Sequence, residues 1–167
     1  MSNELKDTYF IKNSESGTYT DITTLFDGVR VLTISGFFDH GDTVNVYTAQ
    51  WVNSQEEDFM IPDTDEFDNP VVVRENVDIE ITFIVGQKYA SGTIDVGKQH
   101  DAFIRYLTGK DVWIKSLYAN KEVRCMNLES YSPTTVKLCR NGKSFILGTI
   151  KLHMLEKATD VETANNE

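Results

Sequence analysis

The clearest pattern in the sequence is the stretch Val77-Asp78-Ile79-Glu80-Ile81-Thr82-Phe83. Its odd-numbered side chains are apolar and polar side chains stand between them, which is the period of a β-strand with one buried face. Turn signals at Asn120-Lys121, Ser132-Pro133 and Asn141-Gly142 divide the last third of the chain, which predicts an antiparallel meander. Further strands are predicted at Arg30–Ser35, Val44–Trp51, Asp111–Ser116, Glu122–Leu128, Thr134–Cys139 and Phe145–Leu155.

One segment, Asp95–Thr108, has the period of a helix instead. Asp95 is a suitable N-cap and Gly109 a suitable stop, so we expect a single amphipathic helix that buries Phe103 and Leu107. One helix among antiparallel strands predicts a mainly β, α+β fold, either a split β-barrel or an antiparallel β-sandwich packed with this helix. The apolar residues at helical spacing are Val96, Phe103, Ile104 and Leu107.

The length of 167 residues, with 40% hydrophobic and 25% charged residues, is that of one folded domain. We expect a single β-rich domain over residues 1–155 and a mobile acidic tail over 156–167, where no apolar period continues. No apolar run approaches the ~18–20 residues of a membrane helix, and Met1–Phe10 carries charges where a signal peptide is apolar. These features predict a soluble protein without an export signal or a membrane partner.

The charge balance also limits the possible functions. The sequence has 16 basic and 26 acidic residues, a formal charge of −10. Such a surface repels phosphate backbones, which argues against a general nucleic-acid-binding protein. Cys125 and Cys139 are too few for a disulfide framework or a cysteine zinc site, so we expect reduced thiols.

A long acidic excursion, Gln55–Asn69, lies between two predicted strands. Its seven carboxylates make it costly to bury on an acidic domain, whereas its four large apolar side chains suit a protein contact. We therefore predict an assembly element that a neighbouring subunit orders and that is loose in the monomer. The alternative is that these apolar side chains cap the domain's own core. The predicted interface residues are Trp51, Phe59, Met60, Ile61 and Phe67.

Two motifs for ligand binding are incomplete. The stretch Gly92–Gln99 is one residue away from the phosphate-binding P-loop, but Gln99 stands where a hydroxyl must bind Mg²⁺, so we expect no nucleotide binding. Asp63, Asp65 and Asp68 lack the spacing of an EF-hand, so we expect a solvated acidic loop.

Enzyme motifs are missing as well. The histidines are far apart in sequence, and no triad can be argued from their spacing. We therefore assign no catalytic, cofactor-binding or metal-binding residue and expect no cofactor. The three histidines are His40, His100 and His153.

The order of elements from Val77 to Leu155 is a strand, a loop, an amphipathic helix and four strands. With the strand Asp78–Val85, the helix His100–Leu107 and the strand Asp111–Lys115, this order resembles the distal tail protein of long-tailed phages and the related tail-tube proteins. Arg124–Leu128 with Tyr131 and the closing strand Gly148–Leu155 fit the same outline, which covers about half of the chain. The resemblance implies a split β-barrel packed on one helix and assembled as a ring, usually a hexamer, around a DNA channel.

The function that the resemblance implies is that of a non-enzymatic structural protein of the virion, in the tail tube or the distal-tail hub. Its partners would be copies of itself and neighbouring tail proteins, it would assemble in the cytoplasm of the bacterial host, and DNA would pass through without specific binding. A negative charge suits such a conduit, and a ring gives the strand edges of a small sheet a partner.

Two alternatives remain from the residues alone. The first is a soluble β-sandwich module that binds carbohydrate or protein through a patch of Trp51, Trp113, Tyr118 and Tyr131. The second is a hydrolase with paired carboxylates.

Overall fold

The computed structural model describes residues 9–39, 42–44, 46–50, 58–62, 64–67, 69, 72–74, 77–140 and 143–161. The chain forms two compact units, one of Met1–Phe38 with Asp78–Glu167 and the other of Asp39–Val77. The single domain predicted over 1–155 includes both units and stays a prediction. In chain order the elements are β1 (Tyr9–Lys12), β2 (Thr20–Asp21), α1 (Ile22–Leu25), β3 (Val29–Ser35), β4 (Asp42–Val44), β5 (Val46–Gln50), β6 (Asp58–Pro62), β7 (Val72–Arg74), β8 (Asp78–Gly86), a 3₁₀ turn (Gln87–Tyr89), α2 (Val96–Leu107), β9 (Val112–Ser116), β10 (Lys121–Met126), β11 (Thr135–Lys137), β12 (Phe145–Met154) and β13 (Thr159–Asp160).

In the part of the chain that the structure describes, the larger unit is built on one antiparallel sheet of nine strands. Its strands are ordered β2-β1-β9-β10-β12-β8-β3, with β11 added to β12 and β13 added to β10. The mainly β, α+β fold predicted from the sequence is therefore confirmed. The sheet is open, because no described strand joins β2 to β3, so the predicted split barrel is not closed in the described part of the chain.

The centre of the sheet is the long pairing of β8 with β12. The register runs from Phe145 opposite Gly86 to His153 opposite Asp78. Because strand side chains alternate between faces, this register places the apolar residues of both strands on one face. The core on this face includes Ile79, Ile81, Phe83 and Val85 from β8 and Ile146, Ile150, Leu152 and Met154 from β12.

Helix α2 covers the apolar face of the sheet, as the sequence predicts. The side chain of Asp95 caps it by accepting a hydrogen bond from the N–H of Lys98 at 3.1 Å, and Gly109 follows its end at φ 85°. The predicted burial of Phe103 and Leu107 is confirmed, since both are 0% exposed. The ring of Phe103 packs edge-to-face on Phe83, with 4.9 Å between the ring centroids.

The solvent face of the same strands is held by cross-strand polar pairs. Lys151 lies 3.2 Å from Glu80, and the hydroxyls of Thr82 and Thr149 are 3.0 Å apart. Exposed pairs of this kind contribute little free energy because solvent screens them, but they agree with the register that the core sets.

Several short elements were not expected from the sequence. The single-helix prediction is wrong because α1 forms a second helix, in which the side chain of Asp21 accepts a hydrogen bond from the N–H of Thr23 at 2.8 Å. β1 and β2 are too short to show a clear alternation. The described α-helices have 4 and 12 residues, too short to cross a membrane.

The smaller unit contains two antiparallel strand pairs, β4 with β7 and β5 with β6. The strand predicted over Val44–Trp51 is split between β4 and β5, and Trp51 lies outside the described residues. The acidic excursion contains β6, paired with β5, where the sequence showed no strand.

The predicted acidic tail contains β13. Its two residues pair with β10, and Nζ of Lys121 lies 2.7 Å from Oδ1 of Asp160. Residues 162–167 lie outside the described residues, so the mobility of the tail stays a prediction.

Candidate subunit-interface surfaces

The first candidate surface is the open edge of β3. This strand pairs with β8 on one side, and no described strand pairs with its other side. The register skips Leu32 between Val31 and Thr33, which is a β-bulge, and Leu32 is 47% exposed. An edge strand can pair with another chain, and a bulge restricts which chain fits. β3 can therefore form a selective strand contact.

The second candidate surface is a compact loop, the Asp65–Asn69 loop, of which the structure describes Asp65, Glu66, Phe67 and Asn69. Oδ1 of Asp65 accepts hydrogen bonds from the backbone N–H groups of Phe67 at 2.8 Å and of Asn69 at 3.0 Å. The N–H of Asp65 donates to the carbonyl of Asn69 at 2.9 Å, which closes the loop. The N–H groups of Asn69 and Phe67 also lower the pKa of Asp65. The carboxylate of Asp65 is therefore ionised at neutral pH, and the loop that it organises leaves Phe67 76% exposed to solvent.

The structure describes only some of the predicted interface residues. Phe67 is described and exposed, as a contact residue must be before assembly. Phe59, Met60 and Ile61 lie in β6, of which the structure gives the backbone pairing, and Trp51 lies outside the described residues. The interface role of all five residues stays a prediction.

Aromatic and cationic side chains alternate on the solvent face of β1, β9 and β10. Trp113 lies between Lys12 and Arg124 in the register, and each cation lies 5.5 Å from its ring centroid. Two residues further along β9, Nζ of Lys115 lies 4.4 Å from the ring centroid of Tyr19. These distances are those of cation–π contacts.

Carboxylates neutralise the same face. The guanidinium of Arg124 donates to Asp111 at 2.7 Å and to Glu156 at 2.9 Å. The hydroxyl of Tyr19 lies 3.4 Å from Glu122, and burial together with this carboxylate raises the pKa of Tyr19. These contacts between cations, rings and carboxylates stabilise this face of the sheet.

The aromatic patch predicted for a binding module does not form as one surface. Trp113 lies on the solvent face of the sheet, beside Arg124. Tyr131 lies on the opposite face. Its hydroxyl is within hydrogen-bond distance of Nε2 of His100, at 3.0 Å, and its ring lies over Gly148. Tyr118 is exposed in the turn after β9, and Trp51 lies outside the described residues.

The Gly92–Gln99 segment has a structural role at the start of α2. The side-chain amide of Gln87 donates to the carbonyl of Gly92 at 2.6 Å and accepts from the N–H of Ile94 at 3.0 Å. Asp95 caps the helix, so a carboxylate stands where a P-loop holds phosphate. The segment also links antiparallel strands that are not neighbours, β8 and β9. The absence of nucleotide binding stays a prediction.

The described histidines lie in structural contacts. His100 is buried on α2, between Tyr131 and Asp101. Nδ1 of His153 lies 2.6 Å from Oδ1 of Asp78. Both atoms are buried, and the angles between the two groups are not those of a hydrogen bond. His40, Asp63 and Asp68 lie outside the described residues. Within the ranges that the structure describes, no three His, Cys, Asp or Glu side chains are grouped as metal ligands.

The two cysteines are free thiols with different surroundings. Cys125 is 0% exposed, its Sγ lies 3.4 Å from the carbonyl of Val112, and burial strongly raises its pKa. Cys139 is partly exposed.

Since the thiolate is the reactive form, we expect iodoacetamide at pH 8 to alkylate Cys139 in the folded protein and Cys125 only after unfolding. Mass spectrometry of the peptides measures both rates, and equal rates in the folded protein would contradict the placement of Cys125.

Sequence reasoning missed the exposed edge at Leu32, although a signal for it exists. The apolar residues of this strand change from odd positions, Val29 and Val31, to even positions, Leu32 and Ile34. Such a change of phase is the mark of one extra residue in a strand, because the register shifts by one.

No protein-family model matches the chain, and no curated protein matches it. Among solved structures the chain is similar to the Dit protein of phage SPP1, described as a paradigm of the hub adsorption apparatus in phages that infect Gram-positive bacteria. The TM-score is 0.49 and the identity 11%, over 89% of this chain and 50% of that one.

The chain is also similar to a chain of the phage p2 baseplate in its activated conformation with strontium. The TM-score is 0.47 and the identity 13%, over 91% of this chain and 45% of that one. This chain thus spans about half the length of the solved structures that it matches. The two solved structures belong to a phage hub and a phage baseplate, and the family resemblance drawn from the sequence is to phage tail proteins of this kind.

Proposed function

We propose that this chain is a non-enzymatic structural component of a bacteriophage tail, a tail-tube or distal-tail hub subunit, that assembles into a ring around the DNA channel. Copies of itself, in a hexamer, and neighbouring tail proteins are its partners. The ring is part of the virion and is assembled in the cytoplasm of the bacterial host. The observation that carries the proposal is the open edge of β3, with Leu32 exposed, at one end of an open antiparallel sheet.

An open sheet with two different ends suits assembly into a ring. The sheet begins at β2 and ends at β3, so contact between the β3 edge of one copy and another surface of the next is head-to-tail. Head-to-tail contacts close into rings when a whole number of the rotations between copies makes one full turn without a rise along the axis. Strand pairing across the contact satisfies the backbone N–H and C=O groups of β3, and the neighbour covers Leu32.

The charge distribution supports passage of DNA without binding. The formal charge is −10, and the cations on the face of β1, β9 and β10 are already engaged by aromatic rings and carboxylates. A ring whose subunits carry this net charge repels a phosphate backbone over about one Debye length, ~8–10 Å at physiological salt. Duplex DNA should therefore move through the ring without a specific contact.

The oligomeric mass tests the proposal. We expect light scattering of the purified wild-type chain to show a closed ring, and Leu32→Lys to shift it to monomers, since a charge placed in a strand contact must be desolvated. The matched control is Leu128→Lys, because Leu128 is also exposed, at 63%, but lies in the segment after β10. The control should keep the ring.

Two results would contradict the proposal at different levels. A wild-type chain that stays monomeric at every concentration would exclude the ring and favour the soluble binding module. A ring that survives Leu32→Lys as well as Leu128→Lys would keep the assembly but remove β3 from its interface.

A further inference from the structure

A pocket on the solvent face of the larger unit has the opposite charge to the protein as a whole. Its volume is about 620 Å³, within the ~300–1,000 Å³ of ligand pockets, and no described Asp or Glu lines it. Three lysines and three large apolar side chains line it together with Gly86 and Ser144: Lys88, Lys137, Lys143, Ile84, Tyr89 and Phe145.

The pocket lies across neighbouring strands and reaches the open edge of the sheet. Lys137 of β11 is opposite Phe145 of β12, and Ile84 of β8 is opposite Arg30 of β3. The guanidinium of Arg30 also lies 5.4 Å from the ring centroid of Tyr89. A fourth cation therefore links the pocket to the edge at which a neighbouring copy is proposed to bind.

The Asp65–Asn69 loop is complementary to this pocket. It presents one exposed aromatic side chain, Phe67, beside two exposed carboxylates, Asp65 and Glu66. The pocket offers an apolar lining for a ring and lysines for carboxylates. The hydrogen bonds of Asp65 hold the loop in one conformation before binding, so less conformational entropy is lost when the contact forms.

We propose that the lysine-lined pocket of one copy binds the Asp65–Asn69 loop of a second copy, with Phe67 among the apolar side chains and the carboxylates against the lysines. This proposal rests on the proposed assembly of copies and identifies a contact within it. Because each copy carries one loop and one pocket, the contact is head-to-tail and can repeat around a ring.

The test measures assembly of the full chain by light scattering over a range of protein concentrations. Phe67→Ser should raise the concentration for half-assembly by ~10–100-fold, the loss expected when a buried aromatic side chain no longer contributes. Lys143→Glu and Glu66→Lys should each weaken assembly, because each replaces an attraction between pocket and loop by a repulsion, and the two together in one chain should recover part of the loss, since pocket and loop have then exchanged one charge. Lys110→Glu is the control, because it changes the net charge equally at an exposed residue outside the pocket.

A mixing experiment shows whether the contact joins two copies. Chains with Phe67→Ser keep an intact pocket, and chains with Lys143→Glu keep an intact loop. An equimolar mixture should therefore associate at lower concentration than either variant alone. No gain on mixing, or no rescue by the charge exchange, would overturn the proposal.

The outcomes separate this proposal from the function on which it rests. If the wild-type chain does not assemble, the proposed ring fails and the loop contact fails with it. If the wild-type chain assembles and Phe67→Ser, Lys143→Glu and Glu66→Lys leave the half-assembly concentration unchanged, only the pocket contact is overturned.

Discussion

Replacing Phe103 with alanine is expected to lower the free energy of unfolding by ~3–5 kcal/mol, the usual cost of removing a buried phenylalanine. Phe103 is 0% exposed, and its ring packs edge-to-face on Phe83 and on Phe26, at centroid distances of 4.9 and 5.3 Å. The substitution removes both aromatic contacts and leaves a cavity between α2 and the sheet. Urea unfolding followed by tryptophan fluorescence measures the change.

Arg105→Ala is the matched control for this substitution. Arg105 lies on the same helix with an exposed side chain, so its loss should change the free energy of unfolding by less than about 0.5 kcal/mol. A loss below ~1 kcal/mol for Phe103→Ala would place this face of α2 in solvent and would contradict the packing of the helix on the sheet.

Gly36→Ala is expected to lower the free energy of unfolding by about 2–4 kcal/mol. Gly36 follows β3 with φ 106°, a backbone conformation that disfavours any side chain. A β-carbon there would also overlap the backbone carbonyl oxygen of Asp78 at the start of β8. Because a backbone atom cannot move aside as a side chain can, the paired strands must shift.

Gly92→Ala separates this effect from the general loss of glycine flexibility. Gly92 is not among the glycines with positive φ, and no heavy atom lies within 4 Å of the β-carbon that alanine would add. Its substitution should change stability by less than ~1 kcal/mol, and it can be slightly stabilising because the unfolded chain loses freedom. Equal effects of Gly36→Ala and Gly92→Ala in thermal or urea unfolding would show that the approach of Gly36 to Asp78 is not tight.

The elements that the sequence predicts well are those whose signal is local. The alternation through Ile79, Ile81 and Phe83 identifies β8 and its buried face, because side chains on a strand repeat every two residues. The helix predicted over Asp95–Thr108 is α2, Val96–Leu107, flanked by those two residues as caps. Capping and periodicity act over a few residues, so one sequence contains them in full.

The interface candidates could be predicted from the sequence only in part. The apolar and acidic composition of the excursion pointed to Phe67, and the structure describes that side chain as exposed. Composition could not show that Asp65 organises the loop through two backbone N–H groups, because these hydrogen bonds depend on a turn rather than on a pattern.

The class of fold, the positions of the long strands and α2, and the excess of negative charge can be predicted from the residues alone. The order of the strands could not be predicted, and the bulge at Leu32, the open edge of β3 and the pocket lined by Lys88, Lys137 and Lys143 all depend on that order. Alternation of apolar residues identifies the face that a strand buries, but it does not identify the strand with which it pairs. Pairing depends on how all the buried faces fill one core, and surfaces assembled from distant strands follow from that choice.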